Sequence, residues 1–204
     1  MSKLQGPPTV NWRGLNGGEK DVLAKFMFEG PLDITALEFV HCQVPLGIQR
    51  VDDAYRVQDG KPTGYNEKFA RSYAELFREN GAPCGFWKSG EISDIGGFLL
   101  QSYTRSIDAI AVGPAEVHLL EIKTSGEKIE SSSDVDKPLG QIVSYTNLFK
   151  EDYPDVFRNR ALKRWVITME SKVDMTLVRP ILAEFDVGFF DCTRPDCTII
   201  PERV

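Results

Sequence analysis

The sequence predicts an α/β fold in which a central mixed β-sheet is flanked by helices. Apolar residues recur at helical spacing in 66–80 and 138–150, whereas four short apolar segments separated by Gly, Pro and Ser occupy 84–125. Two more apolar segments, at 164–170 and 187–193, alternate with helical patterns. Helices packed on the faces of one sheet are the natural layered arrangement for that order. Short turns between the early strands predict that part of the sheet is antiparallel.

Composition restricts the possible classes of protein. The 204 residues are 42% hydrophobic with a net charge of −6, which suits one globular domain, with or without an extension. Such an acidic chain counts against a histone-like binder, although an enzyme can still meet nucleic acid in a cleft. We find no signal-peptide pattern, no apolar run long enough for a bilayer and no CxxC pair among the four cysteines. We therefore expect an intracellular, cytoplasmic protein with reduced thiols and no membrane partner.

The N-terminal part carries one clear helix and one ambiguous segment. Residues 19–29 are predicted to be a short helix that ends at Gly30. In 35–43, Thr35 and Glu38 have the spacing of a capping box, which favours a second helix. The apolar residues of this segment fit neither period cleanly, so a strand is the open alternative.

A connector at 45–64 is the best candidate for a domain boundary, because it combines Pro, Gly and mixed charge. We accordingly predict a partly helical N-terminal extension, 1–64, with a role in specificity or partner binding. The main domain is then 65–204. The extension could support a homodimer or contact a protein partner.

Helices and strands alternate through the main domain. The clearest helix is 66–80, and the four segments of 84–125 are predicted to form consecutive strands of a meander. A polar loop at 125–137 precedes a helix at 138–150. After the strand at 164–170, residues 173–185 are predicted to be a helix broken near Pro180.

Three charged residues stand in the two apolar strands of 106–125: Asp108, Glu121 and Lys123. Side chains alternate along a strand, so Glu121 and Lys123 share one face, about 7 Å apart at the backbone. The same alternation turns His118 to the opposite face, where we expect a packing role. If the neighbouring strand pairs in register, Asp108 joins the other two charges.

Buried charges of this kind need a partner or a metal ion, because desolvation of an isolated ion is costly. Two carboxylates and a backbone carbonyl are hard-oxygen ligands suited to Mg²⁺ or Mn²⁺. A nearby lysine can position water or stabilise a developing anion, which suits hydrolysis of a phosphodiester. The alternative is a structural Glu121–Lys123 ion pair with an unrelated aspartate.

The charge pattern resembles the PD-(D/E)xK nuclease superfamily. Ile107-Asp108 stands where the family has Pro-Asp, Glu121-Ile122-Lys123 matches (D/E)xK, and Gln141 with Tyr145 is similar to the QxxxY motif of RecB-type nucleases. The resemblance covers about 66–170. It implies a restriction-endonuclease-like core of helix, three-strand meander, helix and strand.

The resemblance also implies roles for individual residues. Asp108, Glu121 and the carbonyl of Ile122 would bind the metal, and Lys123 would assist the attacking water. Gln141 and Tyr145, one turn apart on one helical face, would orient the lysine or contact the nucleic-acid backbone.

Two further metal ligands are suggested by the resemblance. The family often has an acid on the preceding helix, for which Glu75 is the first choice and Glu67 and Glu79 are rivals. In the related cap-snatching viral endonucleases a histidine of an early helix joins the metal site, which makes His41 a candidate.

The function expected from the resemblance is hydrolysis of DNA or RNA by a metal-activated water with Mg²⁺ or Mn²⁺. The sequence leaves DNA or RNA, single or double strand, and endonuclease or exonuclease action open. One alternative is a catalytically inactive nuclease fold that binds nucleic acid or protein. Another is a cap-snatching-like RNA endonuclease that uses His41. Four basic residues would bind phosphates or form an ordinary solvated face: Arg158, Arg160, Lys163 and Arg164.

Overall fold

The computed structural model describes residues 18–47, 105–124 and 129–201. The helices are α1 (Glu19–Glu29), α2 (Ser133–Asp152), α3 (Pro154–Phe157) and α4 (Met175–Glu184). The strands are β1 (Phe39–Leu46), β2 (Arg105–Val112), β3 (Glu116–Lys123), β4 (Ala161–Thr168) and β5 (Val187–Asp191). Several predictions lie outside the described residues: helix 66–80 with Glu67, Glu75 and Glu79, strands 84–88 and 95–103, and the boundary after residue 64.

The five strands form one mixed sheet in the order β1-β2-β3-β4-β5. β2 pairs antiparallel with both β1 and β3, whereas β3–β4 and β4–β5 are parallel. α2 connects β3 to β4, and α4 connects β4 to β5, as parallel pairs require a crossover. The predicted α/β class, with a mixed sheet flanked by helices, is confirmed.

Each face of the sheet has its own hydrophobic core. On one face, Leu119 and Val166 belong to a core with side chains of α2 and α4, including Ile142 and Leu182. On the other face a second core includes α1 and neighbouring positions of β3 and β4: Leu23, Phe26, Leu120, Ile122 and Trp165. Because both faces of β3 are covered, this strand is buried along nearly its whole length.

The ambiguous segment at 35–43 is a strand for most of its length, so the helical alternative is wrong. Asp33 Oδ1 accepts hydrogen bonds from the backbone N–H and the hydroxyl of Thr35, at 3.0 and 2.6 Å, and caps a single 3₁₀ turn, Ile34–Ala36. The cap is therefore Asp33, and not Thr35 as the predicted capping box had it. From Phe39 onward the chain pairs with β2 instead.

β2 has neighbours on both sides. It pairs antiparallel with β3, as the predicted meander expected for these consecutive strands, and antiparallel with β1 on its other side. β1 comes from much earlier in the chain, so part of the expected N-terminal extension belongs to this sheet.

The helices also differ from their predicted bounds. α2 begins at Ser133, earlier than expected, because Asp134 Oδ2 accepts hydrogen bonds from the backbone N–H groups of Glu130 and Ser131 and from the Ser131 hydroxyl. α4 runs unbroken through Pro180. No helix in the described ranges has the length and apolar character required to cross a membrane.

Candidate active site

The candidate site lies where β2 and β3 separate. Their ladder ends at the pair Ala109–Leu120, although both strands continue beyond it. Beyond that pair a side chain takes the place of a backbone acceptor: Asp108 Oδ2 accepts a 2.7 Å hydrogen bond from the backbone N–H of Ile122. A short bond from a backbone N–H to a carboxylate is a strong one. It holds the Asp108 carboxyl group beside the main chain of β3.

Glu19, the first residue of α1, lies against Asp108. The two side chains share a hydrogen bond, and protein atoms crowd the half-buried Asp108 carboxyl group. Burial raises the pKa of Asp108 well above its usual value, and the charge of Glu19 raises it further. The Ile122 N–H and the charge of Lys123 oppose this increase without cancelling it.

Two carboxyl groups in direct contact cannot both ionise cheaply. Burial and the charge of Glu19 favour the protonated form of Asp108, and a protonated carboxyl group can donate the hydrogen bond between the two side chains. A bound cation could neutralise the pair equally well. The Glu19–Asp108 pair is therefore an arrangement whose charge balance favours a cation.

Glu121 and Lys123 form a buried ion pair beside this site. Lys123 Nζ lies 2.9 Å from Glu121 Oε1, and the two side chains are 9% and 4% exposed. Both residues share the face of β3 that carries Leu119, as the strand alternation predicted. Lys123 also lies close enough to Asp108 to lower the pKa of that carboxyl group. The Lys123 ammonium group therefore interacts with Glu121 of β3 and with Asp108 of β2.

The donor set suits a cation that keeps part of its water shell. Among the described residues, no three His, Cys, Asp or Glu side chains converge to form a ready-made metal site. Mg²⁺ is typically held by one or two carboxylates, with water and substrate phosphates completing its octahedron. Glu19 and Asp108 can provide the two carboxylates, and the main chain of Ile122 lies next to Asp108.

The residues of the QxxxY pattern lie on α2, over the face of the sheet that carries Glu121. Tyr145 is buried in the core of that face, and Gln141 Nε2 lies 3.4 Å from the Tyr145 hydroxyl oxygen. Gln141 Oε1 is buried and finds no hydrogen-bond donor in the described part of the chain. An unsatisfied buried acceptor costs about 1 to 3 kcal/mol. Such an oxygen is available for a donor from substrate, water or a side-chain rearrangement.

The two histidines occupy different places. His41 is buried in β1 opposite Ile110 of β2, which separates it from β3. Among the described residues it does not belong to any group of three side chains that could hold a metal ion. His118 has the packing role that was predicted, because its Nδ1 accepts a 3.2 Å hydrogen bond from the Trp165 indole N–H. Burial lowers the pKa of His118 to about 4, so its imidazole is neutral at physiological pH.

Two adjoining cavities of about 410 and 300 Å³ lie around His118, at the end of the sheet away from Asp108. Their walls combine Leu32, Glu116 and His118 with loop residues. The site at Asp108, where the β2–β3 ladder ends, lies apart from both cavities.

The four basic residues before and within β4 have internal partners. Arg160 donates to the carbonyl oxygens of Gly113 and Val156, and Lys163 donates to that of Pro201. Arg158 pairs with the carboxylate of Asp155, and Arg164 lies near the carboxylate of Asp186. They lie toward the N-terminal end of β4, whereas Glu121 and Lys123 align with its C-terminal end.

Glu19 was not among the predicted site residues. The helical acid was expected on the helix at 66–80, because that helix directly precedes the predicted meander. The available signal was the acid in the first turn of 19–29, a helix followed by an apolar segment that could form a strand. Comparisons with protein-family models, with curated proteins and with solved structures find no match to this chain.

Proposed function

We propose that the chain is a divalent-metal-dependent nuclease with a restriction-endonuclease-like core. The observation that carries the proposal is the Glu19–Asp108 carboxyl pair beside the buried Glu121–Lys123 pair. The order of elements supports it: α1, the antiparallel strands β1, β2 and β3, then α2 and the parallel strand β4. Among the described elements this order agrees with the helix, three-strand, helix, strand core that the sequence resemblance implies, with residues 48–104 standing between β1 and β2 in the chain.

Each group of the site has a chemical task under this proposal. Glu19 and Asp108 would hold Mg²⁺ or Mn²⁺, and Glu121 and the Ile122 carbonyl would be further oxygen donors. A bound cation would neutralise the carboxylates and activate water for attack on phosphorus. Lys123 donates hydrogen bonds to the attacking water or to a phosphate oxygen, and Glu121 restrains its ammonium group.

The residues of α2 would support the substrate or the lysine. The carbonyl oxygen of Gln141 lacks a donor in the described structure, so it can accept a hydrogen bond from Lys123 or from water. Tyr145 fixes the side of the helix that faces the sheet. Replacing Gln141 by Leu should lower kcat, because Leu cannot accept that hydrogen bond. The substitution also removes the 3.4 Å contact of Gln141 Nε2 with the Tyr145 hydroxyl, so thermal unfolding of the variant serves as the control for its fold.

Cleavage assays with a matched pair of variants test the proposal. Single- and double-stranded DNA and RNA, in linear and circular forms, are incubated with Mg²⁺ or Mn²⁺. Wild-type protein should cleave at least one of them, and Glu19→Gln should reduce the rate about 100-fold or more. Glu29→Gln removes an exposed carboxylate at the other end of the same helix and should cleave at the wild-type rate. Equal rates for Glu19→Gln and wild type would refute the assignment.

An inactive nuclease fold that binds nucleic acid or protein is the second candidate. The closed Glu121–Lys123 ion pair favours it, because each charge already has a partner without a metal. Thermal unfolding with and without Mn²⁺ distinguishes the two. An active site predicts a rise in Tm that Asp108→Ala abolishes. Retained nucleic-acid binding without any Mn²⁺ shift would identify the inactive module.

The cap-snatching-like alternative depends on His41. In β1 this histidine is buried opposite Ile110 rather than carried by a helix. If it binds the metal, His41→Ala should abolish the Mn²⁺ shift as Asp108→Ala does. A normal shift in His41→Ala would leave Glu19 and Asp108 as the carboxylate pair of a general nuclease.

A further inference from the structure

A constrained guanidinium group lies on the same edge of the sheet as the candidate site. The ends of the three parallel strands are in register there: Lys123 of β3 aligns with Thr168 of β4, which aligns with Asp191 of β5. Neighbouring strands are separated by about 4.8 Å, so Asp191 lies roughly 10 Å from Lys123 at the backbone. Arg194 follows in the turn after β5 and folds back onto Asp191.

Asp191 anchors Arg194 from inside the protein. The Asp191 side chain is fully buried, and its carboxylate accepts hydrogen bonds from Ser171, Thr193 and Arg194. Although burial raises the pKa of Asp191, these hydrogen bonds lower it below its usual value, so the carboxylate stays ionised. Arg194 Nη2 donates a 2.7 Å hydrogen bond to the Ser171 hydroxyl. The guanidinium is therefore held at Nε by the Asp191 carboxylate and at Nη2 by the Ser171 hydroxyl.

The third side of the guanidinium faces outward. The Arg194 side chain is 34% exposed, and Nη1 has no hydrogen-bond acceptor among the residues that the structure describes. An arginine restrained in this way loses little side-chain entropy when it binds a ligand. The planar guanidinium matches the geometry of phosphate oxygens better than an ammonium group does.

We infer that Arg194 binds a backbone phosphate of the nucleic acid near the scissile bond, an inference that rests on the proposed nuclease function. The contact fixes the register of the strand across the ends of β3, β4 and β5. Asp191 is the positioning residue that holds the guanidinium in place.

The salt dependence of binding tests this inference. Short fluorescein-labelled single- and double-stranded DNA and RNA are titrated with protein in EDTA, where cleavage does not occur, and the Kd is measured at several salt concentrations. Arg194→Gln should raise the Kd about five- to tenfold and reduce the slope of log affinity against log salt by up to about 0.9. With Mn²⁺ present, KM should rise while kcat stays near the wild-type value.

Two comparison variants separate a phosphate contact from structural and net-charge effects. Arg194→Lys keeps the charge and should keep the salt slope, with a smaller rise in Kd. Arg158→Gln removes the same charge from an exposed residue that precedes β4, at the opposite edge of the sheet, and should leave Kd, slope and KM unchanged.

The possible results are distinct. A slope for Arg194→Gln equal to that of wild type, or an equal loss in Arg158→Gln, overturns the phosphate contact while leaving the nuclease assignment intact. A lower Tm with unchanged KM and slope would show that Arg194 is only structural and also overturns it. Absence of any nucleic-acid binding by wild-type protein overturns the proposed function and the Arg194 contact together.

Discussion

Replacing Asp108 by Asn should make the metal-free protein more stable at neutral pH. Asn has almost the same shape as a protonated Asp, and its side-chain oxygen can still accept the hydrogen bond from the Ile122 N–H. The substitution removes the charge that burial and Glu19 disfavour. A stabilising substitution at a charged, buried position is what a functional site under electrostatic strain predicts.

The size of the gain depends on pH. The folded-state pKa of Asp108 is raised, so below its ordinary value of 3.8 the carboxyl group is protonated in both folded and unfolded protein. There the Asn variant gains nothing. As pH rises through the folded-state pKa, wild-type protein loses stability that the variant retains. We expect a gain of about 1 to 3 kcal/mol at pH 8, which is the usual size of the effect of a single substitution.

Urea unfolding from pH 3.5 to 8 in EDTA measures this gain, with Asp191→Asn as the matched control. Asp191 is also a buried carboxylate at the end of a strand, but hydrogen bonds lower its pKa despite burial. Its amide variant should therefore lose about 1 to 3 kcal/mol at pH 8. Loss of stability in Asp108→Asn, or a gain that is the same at pH 3.5 and pH 8, would refute the reasoning.

Four other substitutions test three separate contacts. In wild-type protein the free energy of unfolding should fall by about 3 kcal/mol between pH 6.5 and 4, because burial lowers the pKa of His118 to about 4 and the unfolded chain takes up the proton first. His118→Gln should remove this pH dependence, which urea unfolding of both proteins checks. Glu121→Gln and Lys123→Met should each cost about 3 to 5 kcal/mol and the double variant far less, so additive costs in a double-mutant cycle would contradict a buried ion pair. Gly188→Ala should lower the Tm by several degrees, because a Cβ there would meet the Trp165 ring at 2.5 Å; an unchanged thermal-unfolding midpoint would show that the ring can move.

The sequence was most informative where periodicity is physically strict. Strand alternation placed Glu121 and Lys123 on one face and His118 on the other, and the structure confirms both positions. The helix α2 was recognised from its apolar face, although its start was missed because its first turn lies in a polar, serine-rich segment. Local patterns of this kind depend on a few neighbouring residues, so they can be read without the fold.

Long-range pairing was the part that the sequence could not provide. β1 and β2 are joined through a long intervening segment, and nothing in the apolar residues of β1 specifies β2 as its partner. The same difficulty hid Glu19, whose contact with Asp108 exists only because α1 packs across the sheet face next to β3. Register between distant segments is decided by the whole core, which local patterns do not encode.

Calorimetric titration of Mn²⁺ into the metal-free protein tests the central claim that the Glu19–Asp108 pair is a divalent-cation site. Experiments in buffers of different ionisation enthalpy report the number of protons released. Near the folded-state pKa of Asp108, wild-type protein should bind Mn²⁺ and release up to about one proton, because the cation replaces the proton that the two carboxyl groups share. Glu19→Gln and Asp108→Asn should each weaken binding at least about tenfold, whereas Glu29→Gln should bind as wild type does. Absence of binding by wild-type protein, or equal affinity in all four proteins, would contradict the claim.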